Sequence, residues 1–328
     1  MKIASLHPDI FSEYLGLVDQ EIRPAEAATH IWEDFPLLLG GENLPWILGG
    51  FENRELVAGA ACLVRQFRTS CGAVPVGGIG CVVTRPEFRG RGLSGELQAA
   101  LISRLVAANV PLAVLWSDKP EVYAGRGFRP AGWEFHVDLQ DVPSGSGFPQ
   151  GFRCRPFREQ DVAAVSALYA RHPLRTQRNP GDSARLYTMP GTRGLVAVGQ
   201  GEEVVAAVFC GKGADFHQYV GEWCGPGGLV MALLDEALAA GWARHVLIPA
   251  GAQSLAEALT RRGAVARAQP SGLWVVTQPE QLSRYLQGSG LGAPADPADP
   301  AKILGSVDSQ GVVVPGALTL AVWGFDSV

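Results

Sequence analysis

Apolar and polar positions follow two different rhythms along the first third of the chain. Short runs come first: Lys2–Leu6 reads as a strand, Ile10–Ile22 as a helix, Trp46–Glu52 and Leu56–Arg68 as strands flanking Asn53-Arg54, and Val74–Thr84 as a further strand. A four-residue spacing then takes over. Leu93, Leu97, Leu101 and Leu105, with Ala100 and Ala108 beside them, predict one apolar face of a helix. Pro111 introduces an apolar strand over Leu112–Trp116. A meander of strands followed by helix–strand alternation predicts a mixed α/β (α+β) layer structure.

The scheme recurs downstream. Phe152–Phe157 is strand-like, Val162, Val165, Leu168 and Tyr169 mark a helix, and Leu195–Val198 and Val204–Cys210 flank Gly201-Glu202. A helix begins near Leu229, and Val246–Ile248 is again a strand. Leu93 to Gly127 spans 34 positions, as does Leu229 to Gly263, with Arg126-Gly127 matched by Arg262-Gly263. An internal duplication is the economical explanation. Breaker-rich stretches at Pro143–Gly151 and Gly288–Pro300 divide the chain into 1–143, 152–287 and a strand-like tail, 288–328, expected to pack on the domains.

Composition narrows the chemistry. The 328 residues are 47% apolar and 18% charged, ample for buried cores, and the net charge of −5 argues against a basic nucleic-acid-binding surface. No apolar run approaches the length of a membrane span, and the N-terminus turns acidic without a signal-like region, so a cytoplasmic location is expected. The six cysteines show no CxxC spacing and read as buried free thiols; the six histidines form no HxH or HxxxH pair, and no metal is expected.

The most informative segment is Val82-Val83-Thr84-Arg85-Pro86-Glu87-Phe88-Arg89-Gly90-Arg91-Gly92-Leu93-Ser94-Gly95. A strand ends, a Gly/Arg loop follows, and an amphipathic helix starts at once. Glycines at 90 and 92 let the backbone approach a ligand, and the first amides of the helix, those of Leu93, Ser94 and Gly95, favour an anion. Arg89 and Arg91 add positive charge. The same letters match GxGxxG, with Asp118 ending the next strand at the spacing of a dinucleotide fingerprint, so an NAD-binding protein is an alternative. Against it, residues 84–89 separate Val83 from Gly90, whereas dinucleotide glycines follow their strand almost directly.

In this turn the chain resembles the GNAT superfamily of acetyl-coenzyme A-dependent N-acetyltransferases, whose R/Q-x-x-G-x-G/A signature is matched by Arg89-Gly90-Arg91-Gly92-Leu93-Ser94 except for Ser at its last position. The resemblance implies that Val82, Val83 and Thr84 bond the pantetheine arm, that residues 89–95 hold the pyrophosphate, and that Ser117 and Asp118 border the same site. The run Leu115–Phe128 is similar to the family's Y-x-x-x-G-F element, which implies Tyr123 as the acid for the departing thiolate. A phenol, neutral at pH 7, suits that role. The implied activity is transfer of an acetyl group to a primary amine of a small molecule or peptide. A non-catalytic acyl-CoA sensor is the alternative from another class. Both elements also resemble the tandem enzymes of the enhanced-intracellular-survival type, in which an active first domain is paired with a degenerate second one. In those enzymes the C-terminal carboxylate can act as base, which implies Val328 here.

Sliding the chain by 136 positions lays Cys224-Gly225-Pro226-Gly227-Gly228-Leu229 on Phe88–Leu93, replacing both arginines with glycine and placing Leu259 at the position of Tyr123. The second copy is therefore expected to be degenerate. For the acceptor, acidic residues outnumber basic ones by ten to two between Asp9 and Glu55, which makes Glu26, Glu33 and Asp34 candidates, with Glu21 nearby. His217 and Glu222 are candidates from the second half. The sequence leaves the oligomeric state open.

Overall fold

The apolar runs of the N-terminal half form the meander they predict. In a computed structural model, which describes residues 1–23, 27–145, 147–288 and 296–327, β1 (Lys2–Ser5) leads through helices α1 (Pro8–Ile22) and α2 (Ile31–Asp34) to β2 (Ile47–Glu52). β3 (Glu55–Thr69) and β4 (Gly72–Thr84) continue the antiparallel order, and helix α3 (Leu93–Ala107) crosses over so that β5 (Leu112–Leu115) pairs with β4 in parallel. The leucines at 93, 97, 101 and 105 are all buried against Val57, Cys62, Ile79 and Ala113. Gly77 makes that packing possible, because a Cβ there would lie 2.7 Å from Leu105. Burial of each leucine stabilises the layer by about 1.5–3 kcal/mol.

The second half repeats the plan. After the short helix α4 (Pro120–Ala124), β6 (Arg129–Pro130) and β7 (Glu134–Asp138), the chain forms β8 (Arg153–Pro156), α5 (Val162–Tyr169), β9 (Arg175–Gln177) and α6 (Asp182–Tyr187). It continues through β10 (Arg193–Val198), β11 (Val204–Lys212), β12 (Asp215–Cys224), α7 (Gly227–Ala239), β13 (His245–Pro249), β14 (Val265–Gln269) and β15 (Leu273–Val276).

The sheets do not divide where the sequence does. One has the order β1-β2-β3-β4-β5-β15-β6, with β9 added to the far end of β3; the other runs β14-β7-β13-β12-β11-β10-β8. β15, from the second half, is inserted between β5 and β6, and β7, from the first half, between β13 and β14. The stretch 144–151 is thus a connection between two mutually completed sheets, rather than a boundary between self-contained ones. Burial explains the exchange. Trp274 on β15 is wholly enclosed, in a cluster with Phe67, Val74 and Leu112 of the first sheet and Leu282, Ile303 and Leu304 of the C-terminal segment.

The tail is extended without being a sheet strand. Beyond Val313–Val314, which pair with Ser306–Val307, its side chains still alternate. Leu318, Leu320 and Val322 join the cluster around Trp274, whereas Ala321 and Trp323 enter the core of the second half. Phe325 reaches a third cluster built from α1, α2, α5 and β11. The end is held by charge. Arg178 donates to Glu222 of β12 and to Asp326 of the tail, with Asp326 Oδ1 at 3.0 Å and Oδ2 at 3.0 Å, and its guanidinium lies 3.9 Å from the centre of the Tyr169 ring. Tyr169 donates to Asp326 at 2.8 Å and Tyr187 to Glu222 at 2.6 Å. Lys212, fully buried, donates to Ser327 O at 2.5 Å and to the Ser327 hydroxyl at 3.1 Å.

Two outcomes follow. Residues 1–143 and 152–328 expressed apart each lack a strand of their own sheet and are expected to aggregate, whereas co-expression should give a soluble complex by size-exclusion chromatography. Two soluble monomeric halves would contradict the exchange. Burial pushes the Lys212 ammonium down to about 8 against the pull of Asp215, Asp326 and Asp34. Because the folded value lies below the unfolded one, the unfolded chain binds the extra proton between about pH 8 and the ordinary lysine value near 10.4, and stability rises with pH there. The unfolding free energy of the wild type relative to Lys212→Gln should therefore climb by up to about 3 kcal/mol across that window in denaturant titrations.

Candidate active site

The groove begins where two strands part. β4 and β5 pair from Val76↔Leu112 to Gly78↔Val114, after which β4 runs on to Thr84 and β5 ends at Leu115. A bulge sits on the free length of β4: Gly59 faces Val83 and Ala61 faces Gly80, so Cys81 and Val82 together oppose Ala60. Cys81 takes φ +51°, and its carbonyl accepts a hydrogen bond from the buried Tyr14 hydroxyl at 2.9 Å. Gly59 is required beneath that ring, since a Cβ there would lie 2.4 Å from it. Val82, Val83 and Thr84 thus lie on the parted edge, with Val83 buried.

Beyond Thr84, residues 85–92 loop into α3, which Gly92 caps at φ +78°; Gly90 stands at φ +75°. A Cβ on either glycine would meet nothing within 4 Å, so the space in front of the turn is open. The amides that open α3, including those of Leu93 and Ser94, have no carbonyl a turn earlier to bond. Arg89 is paired with Glu21 and bonds Thr84 O at 3.2 Å; Arg91 reaches Glu52 at 2.5 Å and lies over the Phe88 ring. Both guanidiniums border the turn as exposed groups. Sequence reasoning missed Arg126, whose guanidinium lies so close to Gly95 that a Cβ there would fall 2.5 Å from it, and which also bonds Gln98 Oε1 at 3.3 Å. Gln98 Nε2, buried beneath it, has no partner. The available signal is the Arg-Gly pair at 126–127, which in the sequence marks the duplication. An anion is what this cradle of amides and arginines suits.

Tyr123 sits on α4, half-buried, with its ring edge against Phe128 at 6.2 Å. Ser117 and Asp118 lie two and three residues beyond the end of β5, and the Ser117 hydroxyl accepts from Lys119 N at 3.0 Å. Trp116, the first residue beyond β5, is anchored by its indole N–H on Ser271 O at 3.0 Å. It also forms part of the wall of a cavity of about 600 Å³ between the sheets, shared with Phe35, Glu134, His136, Asp215, Phe216, His217, Tyr219, Trp323 and Ser327.

The candidates for acceptor binding separate. His217 lines this cavity. Glu222 does not: its carboxylate is buried and held by Arg178 and Tyr187 as part of the tail anchor. Asp34 is likewise buried, taken by Arg23 at 2.5 Å, Thr29 at 3.0 Å and Ala214 N at 3.1 Å, and it ties the first half to the β11–β12 turn. Glu33 is spent on capping α2 through the His30 amide at 2.8 Å. Glu26 and Val328 lie outside the described residues.

The second copy differs from the first by more than its side chains. β12 ends at Cys224 and α7 starts at Gly227, so only Gly225 and Pro226 stand where the first copy has residues 85–92. The loop is absent rather than substituted, so an even slide of 136 positions misaligns the strand end. Its strands also part, β12 pairing with β13 only at Tyr219↔His245 and Val220↔Val246, but the tail fills the gap: a Cβ on Gly324 would lie 3.0 Å from Gly221 Cα.

Residues 3–131 match the family model described as an acetyltransferase (GNAT) domain. No curated protein matches the sequence. Among solved structures, a probable N-acyltransferase from Enterococcus faecalis is similar over 86% of this chain and 74% of its own, with 14% identity and a TM-score of 0.65. A GCN5-related N-acetyltransferase from Kribbella flavida is similar over 86% and 72% with 17% identity and a TM-score of 0.62, and Eis1 from Mycobacterium abscessus over 86% and 75% with 15% identity and a TM-score of 0.60. These identities carry the fold alone. The parted strands and the glycine turn thus lie within the segment that matches a GNAT acetyltransferase domain, and the two-sheet fold is shared with these solved structures.

Proposed function

We propose that the protein transfers an acetyl group from acetyl-coenzyme A to a primary amine, with one active unit in the first half and the second half walling the acceptor cavity. The observation that carries this reading is the open glycine turn at the start of α3, aligned with the free edge of β4. Val82, Val83 and Thr84 would bond the pantetheine arm, and the amides of 90–95 with Arg89, Arg91 and Arg126 would hold the pyrophosphate, with Ser117 and Asp118 on the opposite rim. The bound thioester supplies the acyl group. Backbone N–H groups around the Cys81–Val82 bulge would stabilise developing charge on its carbonyl oxygen. Tyr123 would deliver a proton to the leaving sulfur. A cationic amine suits the cavity, whose wall carries Glu134 and Asp215 among aromatic rings.

Reversing both arginines of the turn, Arg89→Glu with Arg91→Glu, should weaken coenzyme A binding by at least about tenfold in calorimetry. Retained affinity would remove the turn from the site. Tyr123→Phe should keep that affinity while lowering kcat for amine acetylation by about a hundredfold, read as thiol release. Binding of NAD in place of acetyl-coenzyme A would overturn the reading altogether.

A further inference from the structure

The cavity wall holds a group of titratable side chains that the cofactor groove does not use. The exchanged strand β7 carries Glu134 and His136 two residues apart, hence on one face. Glu134 Oε1 lies 2.9 Å from His136 Nε2, and His136 Nδ1 lies 3.4 Å from the Tyr219 hydroxyl. Glu134, at 11% side-chain exposure, sits deeper than His136, at 23%. The carboxylate accepts the Nε2 hydrogen, which leaves the Nδ1 lone pair for the cavity side. There it accepts from the Tyr219 hydroxyl at 3.4 Å, a long hydrogen bond that an incoming ammonium can displace.

The neighbours of the ring support a base here. On β7 itself, Asp138 lies one further step along the face; across β14 the register partner is Arg267, and across β13 it is the apolar Leu247. From β12 comes Tyr219, tilted against His245 at 4.7 Å, and Asp215 and His217 complete the charged part of the wall. Burial, then Asp138 and Glu134, push the Tyr219 phenol up, so it stays protonated, donates to Nδ1 and leaves His136 as the proton acceptor of the pair.

We propose that Nδ1 of His136 takes the proton from the ammonium of an acceptor amine held in this cavity, while Glu134 fixes the ring. The step rests on the acyl-transfer reading above. One N–H bond of the ammonium breaks and the Nδ1–H bond forms; the electron pair stays on the amine nitrogen, and the positive charge passes to the imidazolium beside Glu134. The neutral amine is then the nucleophile, and the imidazolium returns its proton to water.

The test follows thiol release by the full chain from acetyl-coenzyme A with a panel of primary amines across pH, for wild type, His136→Gln and Glu134→Gln. Coenzyme A affinity and thermal unfolding serve as checks on folding. His136→Gln is expected to lose about a hundredfold in kcat/KM with coenzyme A affinity unchanged, its acidic limb moving up to the amine's own ionisation; Glu134→Gln should lose less. Wild-type rates and an unmoved profile in His136→Gln overturn the inference and leave acyl transfer standing. If wild type binds acetyl-coenzyme A but acetylates no amine, the functional reading fails instead. NMR of the His136 ring with a primary diamine then decides the site: a lowered titration midpoint supports amine capture beside His136, and an unmoved one overturns it.

Discussion

Each sheet of this molecule is completed by a strand from the other half of the chain, and the relation between the groove and the cavity depends on that exchange. β15 closes the first sheet beside β5, the strand whose early end opens the groove, and β7 brings Glu134 and His136 into the second sheet, onto the cavity wall. Neither half can form its core and leave the other free to move. A cavity between independently folded domains would vary with their motion, because interfaces of that kind are small and polar. Here the two halves of the chain share hydrogen-bonded ladders within each sheet, so cavity and groove hold a fixed relation.

The tail adds a second constraint of a different kind. Its apolar residues alternate between the two cores, which fixes its path, but alternation alone would tolerate a slip by two residues. The buried charges do not. Arg178 meets both Glu222 and Asp326, its fork matched on both sides, while the buried Lys212 holds Ser327 through its carbonyl and hydroxyl. A shift of the tail would leave Arg178 and Glu222 buried without Asp326, at a cost of about 3–5 kcal/mol. The cluster acts on register more than on net stability, and the register in question is that of Ser327, which lines the cavity.

Much of the first half could be read from the chain. The leucine spacing of α3, the meander and the glycine turn all depend on residues close in sequence, and each forms as expected. What escaped depends on distant partners. Glu134–Asp138, a five-residue apolar–polar run, and Leu273–Val276, four apolar residues, have no local signal for the sheet they join, because short runs of either kind fit both. Glu222 and Asp34 looked like acidic groups available to an amine. Their burial comes from Arg178 and Arg23, both remote in sequence from at least one of their partners. His136 is illegible for the converse reason: its partner Glu134 is two residues away, but the cavity it faces exists only after the exchange.

The two halves show what an open groove requires beyond a shared arrangement of strands. Both sheets part at the corresponding pair of strands, so the gap is a property of the architecture. In the first copy residues 85–92 carry the chain away from the strand end and leave open space before Gly90 and Gly92. In the second, Gly225 and Pro226 turn the chain straight into α7, and Pro226 has no N–H to offer. Unfilled, that gap would expose unpaired backbone to the interior, which is costly. The tail lies in it instead, with Gly324 against Gly221 and Trp323 between His172 and Trp223. The gap in the second sheet is thus the seat of the segment that borders the cavity, which gives the loop-free connection from β12 to α7 a structural role.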